Sequence, residues 1–148
     1  MTSEPDKKPC KIRDVAKRLD VSVETIRAYE RDGILLTERT ESGQRIFYDM
    51  DVHWLECIRR LISEQGLNIA GIRRLLALMP CWEWRPCSEE DRKACPAYGD
   101  AMQPCWTMKD KIPARCRDSN CRECTVYHNA IRCENLKPRI FKITQPDQ

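Results

Sequence analysis

The stretch CRDSNCREC places Cys116, Cys121 and Cys124 in the pattern Cys-x4-Cys-x2-Cys. In plant-type ferredoxins that local spacing holds a two-iron cluster, with a fourth cysteine supplied from elsewhere. A Cys-x2-Cys pair equally suits tetrahedral zinc, which takes four sulfur or nitrogen ligands. Cys81, Cys105, Cys133 and His128 are candidates for a fourth ligand. A third chemistry needs no metal: thiol–disulfide switching by an activated thiolate, for instance one near Arg85 or Arg122. The spacing leaves all three open.

The elements that must position these thiols fall in the second half of the chain. Of ten cysteines only Cys10 and Cys57 precede Pro80, and Trp82, Trp84 and Trp106 also lie beyond it. A proline stops a helix arriving from upstream, so a domain boundary is expected near Pro80. Lys+Arg exceed Asp+Glu by 26 to 23, and residues 1–80 carry 14 against 13, so any nucleic acid must be met by positive charge gathered on one face. No apolar run is long enough to cross a bilayer, and MTSEPDKKPC lacks the apolar centre of a secretory signal. The expected location is the cytoplasm, where reducing conditions favour metal or redox chemistry over permanent disulfides.

In the first half, Ile12, Val15, Ala16 and Leu19 recur at helical spacing up to the break LDVS. Ser22 is suited to cap a second helix whose inward stripe is Val23, Ile26 and the body of Tyr29, with Gly33 at its end. Ile34–Thr37 and Arg45–Tyr48 read as two strands around ESGQ, where Gly43 can take a positive φ. A third helix carries Val52, Leu55, Ile58, Leu61 and Ile62, capped by Asp49 or Asp51. Asn68 opens a fourth with Ile69, Ile72, Leu75, Leu76 and Met79 inward. The fold class is therefore mainly α: a winged helix-turn-helix of four helices and a two-stranded wing, then a small irregular or helical cysteine-rich module. Glu24, Glu30 and Asp32 read as solvated helix-face charges and His53 as structural.

IRDVAKRLDVSVETIRAYERDGI, RTESGQRIFY and GLNIAGIRRLLAL together resemble the DNA-binding domain of the MerR family of transcription regulators, the last stretch its heat-shock repressor branch. The resemblance implies that the second helix enters the major groove of an operator while the wing grips the flanking backbone. By position, Ser22 and Thr25 would offer hydroxyls, Arg27 and Tyr29 would reach bases or phosphates, and Arg39, Arg45 and Tyr48 would hold phosphate. Arg27 carries the specificity in this scheme, because a guanidinium pairs bidentately with guanine. Ala28 stands where many members have a second tyrosine. The implied partners are double-stranded DNA bearing an inverted repeat, a second copy of the chain, and RNA polymerase. The family's long dimerising helix is missing, so dimerisation is expected through the cysteine module or a helix near VYHNAIRCENL.

CWEWRPC, CPAY, CW, CREC and VY also resemble a module with two Cys-Trp pairs found in bacterial signalling proteins. That likeness implies a sensory domain and gathers Cys81, Cys87, Cys95, Cys105, Cys116, Cys121 and Cys124. The expected organisation is a flexible lead over 1–10, the DNA-binding domain over 11–79, the sensor or metal-binding module over 80–135 and a tail over 136–148. The expected function is a DNA-binding transcription regulator, not an enzyme, modulated by a redox- or metal-responsive cluster, iron–sulfur or zinc. Two alternatives stand beside it: cysteines holding structural zinc only, and a thiol oxidoreductase or interaction adaptor.

Overall fold

The apolar spacing at Val15, Ala16 and Leu19 becomes helix α1 (Ile12–Leu19), which buries all three. The structure is a computed structural model describing residues 9–98 and 101–133. Asp20 ends α1 in the left-handed region at φ 58°, and its amide and that of Val21 return to the carbonyls of Lys17 and Ala16. This closes the helix and turns the chain within three residues into α2 (Val23–Arg31). The Ser22 hydroxyl caps α2 by accepting from the Thr25 amide at 3.0 Å. At the far end Gly33, at φ 85°, lets the Ile34 amide reach the Tyr29 carbonyl and the Gly33 amide the Glu30 carbonyl. That pair of bonds seals the helix, and it turns Ile34 and Leu35 directly into the core, where neither is exposed.

This inward turn moves the expected wing strand. Ile34–Thr37 is not a strand; the ladder begins later, with β2 (Glu38–Arg39) facing β3 (Arg45–Phe47) across the turn at Gly43. A third strand, β1 (Cys10–Lys11), pairs with the other side of β3, Cys10 opposite Phe47, in the order β1-β3-β2. Cys10 therefore belongs to the sheet and not to a flexible lead. Residues 1–8 lie outside the described residues, as do the expected tail over 136–148 and the end of VYHNAIRCENL.

Helix α3 (Asp49–Ser63) opens with Tyr48 as its cap residue. Asp51, expected as the cap, sits one turn in and accepts from the Tyr48 amide at 2.8 Å, wholly buried. Val52, Trp54, Leu55 and Ile58 form its inner face, and Trp54 Nε1 donates to the Ile34 carbonyl at 2.8 Å. Helix α4 (Ile69–Ala77) buries Ile72 and Leu76.

The chain divides into two compact units, residues 1–69 and 70–148. The division falls after the first residue of α4, and within the second unit Leu76 and Met79 line a small cavity with Pro104, Cys105, Trp106 and Val126. Beyond Pro80 come short pieces: α5 (Cys81–Trp84), α6 (Glu89–Ala94), a 3-10 turn (Cys105–Met108), α7 (Ala114–Arg117), a second 3-10 turn (Cys121–Glu123) and α8 (Thr125–Ala130). None of the described helices is long and apolar enough to cross a membrane.

The left-handed conformation of Asp20 costs about 1–2 kcal/mol for a residue with a side chain, and glycine gives back about 0.5–1 kcal/mol of that as backbone entropy. Asp20→Gly should therefore raise stability by about 0.5–1 kcal/mol, read as a higher urea midpoint of the full chain with an unchanged slope.

Candidate functional site

Positions 23 and 27 of α2 share one helix face. Val23 and Arg27 meet Gly43, Gln44 and Arg45 of the hairpin and Lys11, Ile12 and Arg13 of the first strand and helix around an open cleft of about 510 Å³. Four basic side chains thus converge on one concavity of a domain whose net charge is nearly zero. Lys11 and Arg13 were not among the expected contacts. The signal that could have found them is their place beside α1's first turn, but it needed β1 to be seen.

The cleft keeps its shape through Glu30. Its carboxylate accepts from Arg45 Nε at 2.6 Å, from the Thr37 hydroxyl at 2.7 Å and from Arg39 Nη2 at 3.4 Å, while Arg39 Nη1 also donates to the Gly43 carbonyl at 3.1 Å. Glu30 is therefore the clamp between α2 and the hairpin, not a solvated helix-face charge. Burial alone would push its carboxyl up, but the Thr37 hydroxyl, Arg45 and Arg39 together outweigh burial and hold it below its ordinary 4.5. Arg39 and Arg45 are accordingly shared with Glu30 and not free to serve phosphate alone.

The other expected contacts separate. Arg27 is exposed and bonds Glu24 at 2.7 Å. Thr25 lies two residues away, about 160° round the helix, with its hydroxyl 2.8 Å from that of Ser22. Tyr29 is 6% exposed and belongs to the core, where burial raises its phenol above the ordinary 10.0 despite Arg59. Its body faces inward as the stripe Val23, Ile26 and Tyr29 implies. Tyr48 is half-buried at the head of α3, outside the cleft.

In the second unit the seven cysteines named from the sequence, Cys81, Cys87, Cys95, Cys105, Cys116, Cys121 and Cys124, line one cavity of about 50 Å³. Four elements hold Cys81, Cys105, Cys116 and Cys121, and the segments between elements hold Cys87, Cys95 and Cys124, so no local spacing could have shown the convergence. His128 is not in the lining: its Nε2 donates to the Arg122 carbonyl at 2.9 Å. Trp106 and Tyr127 meet edge to face at 5.0 Å and form one wall, while Trp82 packs at 4.7 Å against Tyr98, another lining residue. Arg85 holds the loops by donating to the Arg115 carbonyl at 2.7 Å and the Ser119 hydroxyl at 2.8 Å, and its Nη1 lies 3.7 Å from Cys124 Sγ.

Burial, reinforced by Cys95, Cys87 and Cys116, pushes the Cys81 thiol up to about 12. Burial also raises Cys105, with Cys81 and Cys121 adding to it. It raises Cys116 and Cys121 as well, against the pull of Arg85 and Lys109 respectively. These four are protonated at neutral pH, the opposite of activated thiolates. Tetrahedral zinc at about 2.3 Å from each sulfur requires sulfurs roughly 3.8 Å apart. Among the described residues no three of the seven cavity thiols lie within 4.8 Å of one another. The donor set suits a thiophilic metal, but a metal must draw the thiols inward and displace their protons.

Two helices joined by a three-residue turn thus stand beside a hairpin clamped across a basic cleft. Residues 10–78, a little under half of the chain, match the family described as MerR HTH family regulatory protein. Among particular relatives, Heavy metal-dependent transcription regulator 2 of Rhizobium meliloti (strain 1021) is 38% identical over 84 residues, 56% of this chain and 54% of its own length. HTH-type transcriptional regulator ZntR of Escherichia coli (strain K12) is 34% identical over 80 residues, 53% of this chain and 56% of its own. HspR of Streptomyces coelicolor, named as a heat shock protein, is 31% identical over 71 residues, 47% of each chain. The chain spans about half the length of these relatives. No solved structure gives a significant match.

Because the Glu30 carboxyl is held low when folded, it binds its proton less readily there than in the unfolded chain. Its stabilisation is complete above the ordinary glutamate range and disappears as pH falls through it. Glu30→Gln should cost about 1–2 kcal/mol at pH 7, and the gap to wild type should close below pH 4.5, both read by urea denaturation across pH.

Proposed function

We propose that this protein is a sequence-specific transcription regulator that binds double-stranded DNA through a winged helix-turn-helix, with α2 in the major groove and the β2–β3 hairpin over the adjoining backbone. The observation that carries this reading is the cleft between α2 and the hairpin, where Lys11, Arg13, Arg27 and Arg45 converge. Positive charge on one concave face is what a phosphate chain requires, whatever the net charge of the chain. Arg27, exposed and held by nothing stronger than a surface pair with Glu24, is the residue that can exchange its partner for a base edge. Arg45 and Arg39, tied to Glu30, set the angle of the hairpin as much as they neutralise phosphate.

The second unit supplies the control. Seven thiols around one cavity make a centre that a metal or an oxidant alters, and a relative named for heavy-metal dependence is 38% identical over 84 residues. The module is small, so occupation of the cavity changes how firmly it is ordered. In this reading two copies of the chain meet an inverted repeat, and the state of the cavity decides whether the two heads match the half-site spacing. The likeness to the heat-shock branch favours repression over activation by RNA polymerase.

The test is selection of bound duplexes from a random-sequence pool by the full chain. An inverted repeat should emerge. Arg27→Ala should weaken binding to it by about 10- to 100-fold, while leaving the urea midpoint unchanged. Recovery of no preferred sequence, or an Arg27→Ala variant with undiminished affinity, overturns the reading.

A further inference from the structure

Among the seven cavity thiols only Cys121 and Cys124 stand three residues apart. The second 3-10 turn joins them. The Asn120 side chain opens it by accepting from the Arg122 amide at 3.1 Å, and the Cys124 amide closes it on the Cys121 carbonyl at 3.1 Å. A turn closed in that way keeps its first and last Cα atoms within about 7 Å, and a disulfide spans Cα atoms about 4.4–6.8 Å apart. Both thiols are free and half-buried, and both line the same cavity. The backbone thus holds the pair near bridging range before any oxidation.

The two sulfurs are not equivalent. Arg85 Nη1 lies 3.7 Å from Cys124 Sγ, while its Nη2 is tied to the Arg115 carbonyl and the Ser119 hydroxyl. The hydroxyl of Thr125, the next residue, donates to the Trp84 carbonyl at 3.3 Å and fixes the same stretch from its other side. A cation held in place against the Cys124 sulfur favours negative charge there as the sulfur reacts.

We infer that Cys121 and Cys124 are a redox pair that hydrogen peroxide closes to a disulfide, with Cys124 meeting the oxidant and Cys121 resolving it. In the first step the Cys124 sulfur attacks one oxygen of the peroxide. The S–O bond forms, the O–O bond breaks, and the departing hydroxide takes the thiol proton and leaves as water. Cys124 is oxidised to the sulfenic acid and the peroxide is reduced. The Cys121 sulfur then attacks the Cys124 sulfur: the S–S bond forms, the S–O bond breaks, and hydroxide leaves with the Cys121 proton as a second water. The cavity of about 50 Å³ has room for the peroxide, since about 10–15 Å³ already accommodates a water. Closure withdraws one contact from Arg85, the side chain that ties the end of α5 to α7 and the loop after it.

The pair deepens the regulatory reading and rests on it for biological purpose alone. Its closure is read on thiols, so its failure is separable from a failure of DNA binding. The reduced full chain is exposed to hydrogen peroxide, remaining thiols are blocked with iodoacetamide, and tryptic peptides are mapped by mass. Cleavage after Arg117, Arg122 and Arg132 separates the two cysteines. Closure should therefore appear as peptide 118–122 linked to peptide 123–132, and dithiothreitol should remove the link. Cys121→Ser should lose the link and accumulate a sulfenic acid at Cys124 that dimedone captures. Cys124→Ser should give neither the link nor a dimedone adduct at Cys121, whereas Cys10→Ser, outside the cavity, should behave as wild type. A link between any other pair of cavity thiols, dimedone capture at Cys121 in the Cys124→Ser chain, or full alkylation of both cysteines after peroxide would each overturn the assignment while leaving DNA binding and its Arg27 dependence untouched.

Discussion

The Glu30 carboxylate holds the amino-terminal unit in working shape. A two-stranded hairpin of two and three residues has too few ladder bonds to stand alone at a fixed angle. Here its orientation comes from two guanidiniums and a hydroxyl that all donate to one acidic side chain on α2. The side chains of Glu30 and Arg45 are each less than a quarter exposed, so their 2.6 Å contact is screened far less than a surface pair. The cleft between helix and hairpin, and with it the convergence of Arg27 and Arg45, follows from that bond.

Much of the amino-terminal architecture was legible in the sequence because it is written in local chemistry. Ser22 announces a cap, the Val15–Leu19 stripe a helix face, Gly43 a turn and Gly33 a helix end. What was not legible depends on chain-distant pairing. Ile34 and Leu35 read as strand because they are β-formers between turn signals, yet the seal at Gly33 sends them inward before any ladder can form. Cys10 gave no sign of its partner Phe47, since two residues hold no periodicity. Tyr29 was given two roles, core and contact, and its body packs in the core. Glu30 looked like one more charge on a charged helix, because its partners stand seven to fifteen residues away.

The carboxy-terminal unit reverses this balance. Its elements were almost unreadable: helices of four to six residues leave no moment or stripe to follow. Its site was readable as a set of residue types, and the seven thiols do share one cavity. The reason is physical. Pieces this short leave the backbone irregular, so the distinctive information of the segment lies in the side chains that converge on its cavity. Ile72, Leu76, Trp106, Ile112, Val126, Tyr127 and Ile131 form an apolar core of its own, beside thiols that are half-buried.

The placement of the indoles gives each unit its own optical channel. Trp54 is the one tryptophan of the first unit, sealed from water and hydrogen-bonded to the Ile34 carbonyl, a setting in which indole emission should be blue-shifted until that unit unfolds. Trp106 stands in the wall of the thiol cavity, against sulfur atoms whose quenching strength changes on deprotonation or oxidation. The chain thus carries an indole at its thiol cavity, beside Trp82 and Trp84 in the same unit, and an insulated one in the other unit.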